Sequence, residues 1–146
     1  GSAYRSQALC GETALELPLW LDGETPEAAQ LRVRESLQRD FASALDVTLL
    51  GMGPDGHIAS LFPSHPATRL APAQLVAYIN DSPKPPAQRM TLSLSLLQSA
   101  GTHVLLALGE SKRTALRALL QATEPTPLLP ASYLSNLIII SNLDLE

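Results

Sequence analysis

The sequence predicts an α/β fold, a mostly parallel sheet with helices on both faces. Three observations carry that reading. Apolar runs at 46–50, 104–108 and 137–140 have the length and continuity of strands buried on both sides. Helical spacing of apolar residues lies between and before them, at 25–41 and 112–121. Hydrophobic residues make up 45% of the 146-residue chain and charged residues 16%, enough to bury a core in a single domain over 1–146. No internal repeat or low-complexity tract interrupts it.

Gly1 and Ser2 are set aside, and residues 3–21 are expected to be an irregular lead-in with a short helix near 5–9. Residues 21–24 are turn-like. The first clear helix follows, because Thr25 is a good N-cap, Pro26 suits the first helical position and Glu27 favours the positive helix end. Ala29, Val33, Leu37 and Phe41 recur every fourth residue and form its apolar stripe. A buried strand at 46–50 then runs into a loop at 51–57. Residues 58–62 are expected to begin a short helix that Pro63 stops, and 64–72 to be loop. Residues 75–79 read as a strand. Pro83, Pro85 and Pro86 preclude regular structure over 80–86. Residues 89–94 alternate as a second strand, and 96–100 read as a short helix ending at Gly101. The strand at 104–108 ends at Gly109, Ser111 is expected to cap the helix 112–121, and Leu116, Leu119 and Leu120 to form its core face. A proline-rich loop, 125–130, precedes the last strand.

The net charge of −4 leaves no basic footprint for nucleic acid, though a few local cations can still bind an anion. Cys10 is the single cysteine, which excludes an internal disulfide and a cysteine-rich metal site and suits a reducing, cytoplasmic setting. No signal peptide is expected and no apolar run is long enough to span a bilayer, so no membrane partner is expected. His57, His65 and His103 lack metal-ligand spacing, so no metal is expected. His65 reads as loop surface.

The chemistry points to 51–57. Gly51, Gly53 and Gly56 let the backbone take unusual angles and let a ligand approach. Such a loop lies at the carboxyl end of a strand, where ligands of open α/β sheets sit. Asp55 and His57 can face one cavity, the imidazole as proton acceptor and the carboxylate as its support. The plainer alternative leaves Asp55 as a helix cap and His57 bonded to a backbone group. Neither a Walker phosphate loop nor a dinucleotide fingerprint is present. Lys84, stiffened by a proline on each side, suits a phosphate or is simply solvated. Arg89 offers a fork for an anion or an ion pair. Lys112, in the first turn of a helix, is mildly unfavourable there unless an anion is near.

Taken together, these segments resemble 6-phosphogluconolactonases of the glucosamine-6-phosphate isomerase/6-phosphogluconolactonase family. The resemblance rests on Leu49-Leu50-Gly51-Met52-Gly53-Pro54-Asp55-Gly56-His57 with Ala59-Ser60-Leu61-Phe62-Pro63. Ser82-Pro83-Lys84-Pro85-Pro86 with Arg89-Met90-Thr91-Leu92, then Gly109-Glu110-Ser111-Lys112, then Leu129-Pro130-Ala131-Ser132, follow in order. Ile58 stands where the family usually has Thr. The related deaminases share Gly-x-Asp-Gly-His but continue toward Phe-Asn-Glu-Pro, unlike Ser60-Leu61-Phe62-Pro63 here. The resemblance implies a Rossmann-like three-layer α/β fold. Ser2-Ala3-Tyr4-Arg5 resembles a mid-chain segment of the family, which implies that the first strands and a phosphate loop are lacking. A sheet short of strands exposes an edge, and a monomer or weak homo-oligomer is expected.

The resemblance further implies hydrolysis of 6-phosphogluconolactone to 6-phosphogluconate, in the oxidative pentose phosphate pathway, without metal or cofactor. His57 would activate water and Asp55 support it. Backbone N–H groups near Gly51 and Gly53 would hold the oxyanion, and Lys84, Arg89 and Lys112 the phosphate or sugar hydroxyls. Two alternatives stay open. One is a deaminase-like isomerase, which needs a carboxylate after the histidine segment, and none lies between His57 and Asp81. The other is a catalytically weak or inactive fragment that binds a sugar phosphate.

Overall fold

The computed structural model describes residues 16–145; the expected helix near 5–9 and the segment at 2–5 lie outside them. Helix α1, Pro26–Phe41, forms as its sequence requires. The Thr25 hydroxyl accepts from the Ala28 N–H, Pro26 opens the first turn, and Ala42 closes the helix in the left-handed region at φ 48°. Ala29, Val33 and Leu37 are buried, and Phe41 is half-buried at the end of the stripe.

Five strands follow: β1 Val47–Gly51, β2 Val76–Ile79, β3 Arg89–Leu92, β4 Thr102–Ala107 and β5 Leu137–Ser141. β1, β4 and β5 form a parallel sheet in the order β1-β4-β5, with Thr48 opposite His103 and Leu105 opposite Ile139. β2 and β3 form a separate antiparallel ribbon. Val33 and Leu37 of α1 join Leu75, Val76 and Leu96 in a second small core. Helices α2, Leu94–Gln98, and α3, Arg113–Gln121, complete the fold with short 3₁₀ turns at Pro66–Arg69, Glu110–Lys112 and Pro130–Tyr133.

The parallel α/β architecture is as expected, but the strands are not buried on both sides. Thr48, Leu50, His103, Leu105, Leu137 and Ile139 point to a face packed on Ile58, Leu61, Leu97, Leu116 and Leu119. On the other face Val47 is 61% exposed, Leu49 68%, Ile138 53% and Ile140 48%. Apolar runs of this kind are the pattern of two-faced burial, and the described residues cover one face.

Other expectations differ in detail. Residues 58–62 form no helix. Leu61 N–H returns to Ile58 O at 2.8 Å, Ala59 lies at φ +49°, and Ile58 bridges Met52. The backbone decides this: Ala59 in the left-handed region cannot continue a right-handed helix, and the turn still buries Ile58, Leu61 and Phe62. Helix α2 begins earlier than 96 because Ser93 caps it, accepting from Leu96 N–H. Ser111 caps nothing, since the chain first makes a 3₁₀ turn after Gly109 (φ +87°) and α3 starts at Arg113. Leu120 is 55% exposed; Ala115, Leu116 and Leu119 form the core face.

Candidate active site

The candidate site grows from the carboxyl end of β1. Met52 N–H donates to Leu106 O at 3.2 Å and prolongs the sheet by one residue. The chain then doubles back: Gly53 N–H donates to His57 O at 2.8 Å, and Gly56 N–H to Gly53 O at 3.0 Å. This turn folds the side chains of Asp55 and His57 over Gly53. A Cβ there would lie 2.1 Å from His57 Nδ1 and 2.6 Å from Asp55 Oδ1, so only glycine fits. Gly56 sits at φ +86°, and a Cβ on it would lie 2.8 Å from Leu129 Cδ2.

His57 Nδ1 and Asp55 Oδ1 are 2.6 Å apart, and Lys84 Nζ meets the same oxygen at 2.8 Å. Burial pushes the Asp55 carboxyl up, but the hydrogen bonds from Lys84 and His57 outweigh it and hold the group down at about 2. Asp55 is therefore an anion at neutral pH and serves as an acceptor. The His57 ring packs on Phe62, with centroids 4.7 Å apart. With Nδ1 engaged by the carboxylate, Nε2 is the ring nitrogen left for chemistry.

A cleft of about 620 Å³ opens here, lined by His57, Gly51, Gly53, Lys84 and Lys112, with Met52, Pro54 and Ala59. Lys112 makes no ion pair among the described residues and ends a 3₁₀ turn rather than lying inside a helix. So the structure gathers Gly51, Gly53, His57, Lys84 and Lys112 around one space, with Asp55 behind the imidazole. Arg89 stands apart. Its guanidinium lies over Phe62, 5.4 Å from the ring centre, and donates to loop carbonyls. Of the expected oxyanion donors near Gly51 and Gly53, the Met52 and Gly53 N–H groups donate to the carbonyls of Leu106 and His57.

His65 is not loop surface. Its side chain is 15% exposed, its Nδ1 accepts from Ala67 N–H, and its Nε2 lies 2.9 Å from Asp81 Oδ1. That contact holds the Asp81 carboxyl below its usual range. Phe62 was also missed as a platform for the site, since an apolar residue in an apolar run carries no separate signal. Among the described residues no group of three or more His, Cys, Asp or Glu could hold a metal ion. None of the described helices is long and apolar enough to cross a membrane.

A glycine loop that leaves a parallel strand and sets an imidazole on a carboxylate, with lysines lining the same cleft, marks the site of an α/β protein. The family model for glucosamine-6-phosphate isomerases/6-phosphogluconolactonase matches residues 8–138, and the chain belongs to that family. Human 6-phosphogluconolactonase is 43% identical over 117 residues, 80% of this chain and 43% of that protein. The crystal structure of a 6-phosphogluconolactonase from Shewanella baltica superposes with a TM-score of 0.69 at 28% identity, over 84% of this chain and 55% of that one. The enzyme from Thermotoga maritima gives 0.67 at 27% identity, over 81% and 51%. The chain thus spans about half the length of these relatives, and less of the human protein.

Proposed function

We propose that the protein carrying this chain is a 6-phosphogluconolactonase, opening the lactone ring of 6-phosphogluconolactone to 6-phosphogluconate. The observation that carries the reading is the 2.6 Å contact between His57 Nδ1 and Asp55 Oδ1 at the rim of a lysine-lined cleft. Asp55 holds the Nδ1 proton and stabilises the imidazolium that forms. His57 Nε2 takes a proton from water, and the hydroxide oxygen bonds to the C1 carbonyl carbon. The ring C–O bond then breaks as imidazolium returns the proton to the departing ring oxygen. Charge on the carbonyl oxygen falls to the side-chain donors of the cleft and to the Gly51 N–H, since the Met52 and Gly53 amides donate to carbonyls. Lys112, without an ion-pair partner among the described residues, and Lys84 bind the substrate phosphate or hydroxyls.

The test is acid release from 6-phosphogluconolactone, followed in a pH-stat with this chain and with His57→Gln. Turnover above the spontaneous rate in the parent, abolished in the variant, supports the reading; equal rates in both overturn it. The exposed apolar face of the sheet favours a second reading, in which this 146-residue chain binds the phosphosugar without turnover. Calorimetric binding of 6-phosphogluconate without catalysis would select it. A cytoplasmic location belongs to the same proposal.

A further inference from the structure

Arg89 is a cation that packs on Phe62 beside the site without lining the cleft. Its Nε donates to Pro86 O at 3.2 Å, and its Nη2 to Pro85 O at 2.8 Å and Lys84 O at 3.2 Å. Those carbonyls are consecutive and belong to the segment that carries Lys84. Pro85 and Pro86 have no N–H, so the segment cannot build a ladder of its own and its carbonyls need donors from elsewhere. Ser82 Oγ supplies one more, to Lys84 O at 2.7 Å. From this anchored backbone the Lys84 ammonium reaches Asp55 Oδ1 at 2.8 Å, the same oxygen that holds His57. Phe62, beneath the guanidinium, is also the ring against which His57 packs.

We propose that Arg89 is a positioning residue, which fixes the backbone of 84–86, sets Lys84 against Asp55 and thereby orients His57 without touching substrate. A planar fork with several N–H donors can meet three carbonyls at once, whereas a lysine is a single, strongly hydrated point of charge. The consequence for catalysis rests on His57 being the base; the positioning itself does not.

Lys84 and Lys112 are the only lysines in the sequence, which gives a site-resolved test with an internal control. The chain is treated at neutral pH with an N-hydroxysuccinimide ester of acetic acid, and acetylation of each lysine is timed by peptide mass spectrometry. Lys84 must leave Asp55 before its nitrogen reacts, so it is slow in the parent. Arg89→Gln is expected to speed Lys84 severalfold, with Lys112 and the circular dichroism spectrum unchanged. In an Asp55→Asn background, where Lys84 is already released, the same substitution should add nothing. Arg89→Lys keeps the charge and the stem on Phe62 but loses the fork, and should release Lys84 as Gln does. It also supplies the measurement if the Gln variant does not fold. An unchanged Lys84 rate in folded variants overturns the proposal, as does full protection by Lys at position 89, or an undiminished effect in the Asp55→Asn background. Absence of lactone turnover would defeat the proposed function and leave this labelling pattern standing.

Discussion

His57 and His103 are the same side chain at two ends of one sheet, and their surroundings are opposite in kind. His57 lies beyond the carboxyl end of β1, 18% exposed, with a carboxylate on Nδ1 and a cleft beside it. His103 lies within β4, fully buried, with the Thr48 hydroxyl on Nδ1 at 2.8 Å and Nε2 without a partner among the described residues. Burial pushes the His103 imidazole below its ordinary value, so it stays neutral. The difference teaches that an imidazole becomes useful through an anionic neighbour and access to water. The same ring in the core is a polar group tolerated at a cost to stability.

Substitutions can break this contrast, the largest effect first. His57→Gln is expected to lower lactone hydrolysis by about 10²–10⁴-fold in the pH-stat while leaving the melting temperature near the parent's. A comparable activity loss from His103→Gln in a folded protein would erase the distinction. Asp55→Asn should cost about 10²-fold, because the amide no longer fixes the tautomer and tilt of His57. Nitrogen NMR shifts of the ring would show the proton redistributed. Gly53→Ala should destabilise by about 1–3 kcal/mol in urea titrations, since the new methyl overlaps the His57 ring. Its lost activity should not be recovered by raising substrate.

The smallest effects concern pH. His103 has a depressed native value, so below the ordinary imidazole value of 6.5 the unfolded chain binds a proton that the folded chain refuses. Its contribution is fully present above that value and is lost as pH falls through it toward the native one. Thermal melts between about pH 8 and about pH 5 should therefore fall less for His103→Gln than for the parent. Equal slopes would contradict the buried neutral state. Asp55 acts in the same direction further down. Its stabilisation is complete above 3.8 and disappears toward about 2, so it leaves the interval tested for His103 untouched.

Much of this was legible in the sequence where local chemistry decides. Thr25, Pro26 and the Ala29-Val33-Leu37 stripe specify α1 without help from the rest of the chain. The strand before Gly51 and the Asp55–His57 pair were visible because glycine spacing and titratable residues are local signals. Residues 58–62 were misread because an apolar pentapeptide is equally compatible with a helix and a buried turn, and the bridge from Ile58 to Met52 belongs to the turn alone. The uncovered sheet face was invisible because apolar content records a need for cover, not its presence. The surroundings of Arg89 were invisible for another reason. A sequence shows that a fork exists, and only coordinates show that its Nε and Nη2 donate to three carbonyls.

The parallel pairing of β1 with β4 has one more consequence. Thr48 and His103, opposite each other in the sheet, are 55 residues apart in the chain. Parallel neighbours cannot be joined by a hairpin, so β1 must wait for a distant strand before its end is fixed. Met52 is likewise anchored to Leu106, and Gly56 is backed by Leu129. The contacts that back the loop carrying His57 close a long stretch of chain, and the entropy of that closure opposes them. A synthetic peptide spanning 47–63 would contain every letter of the motif and lack the Leu106 and Leu129 contacts that back it.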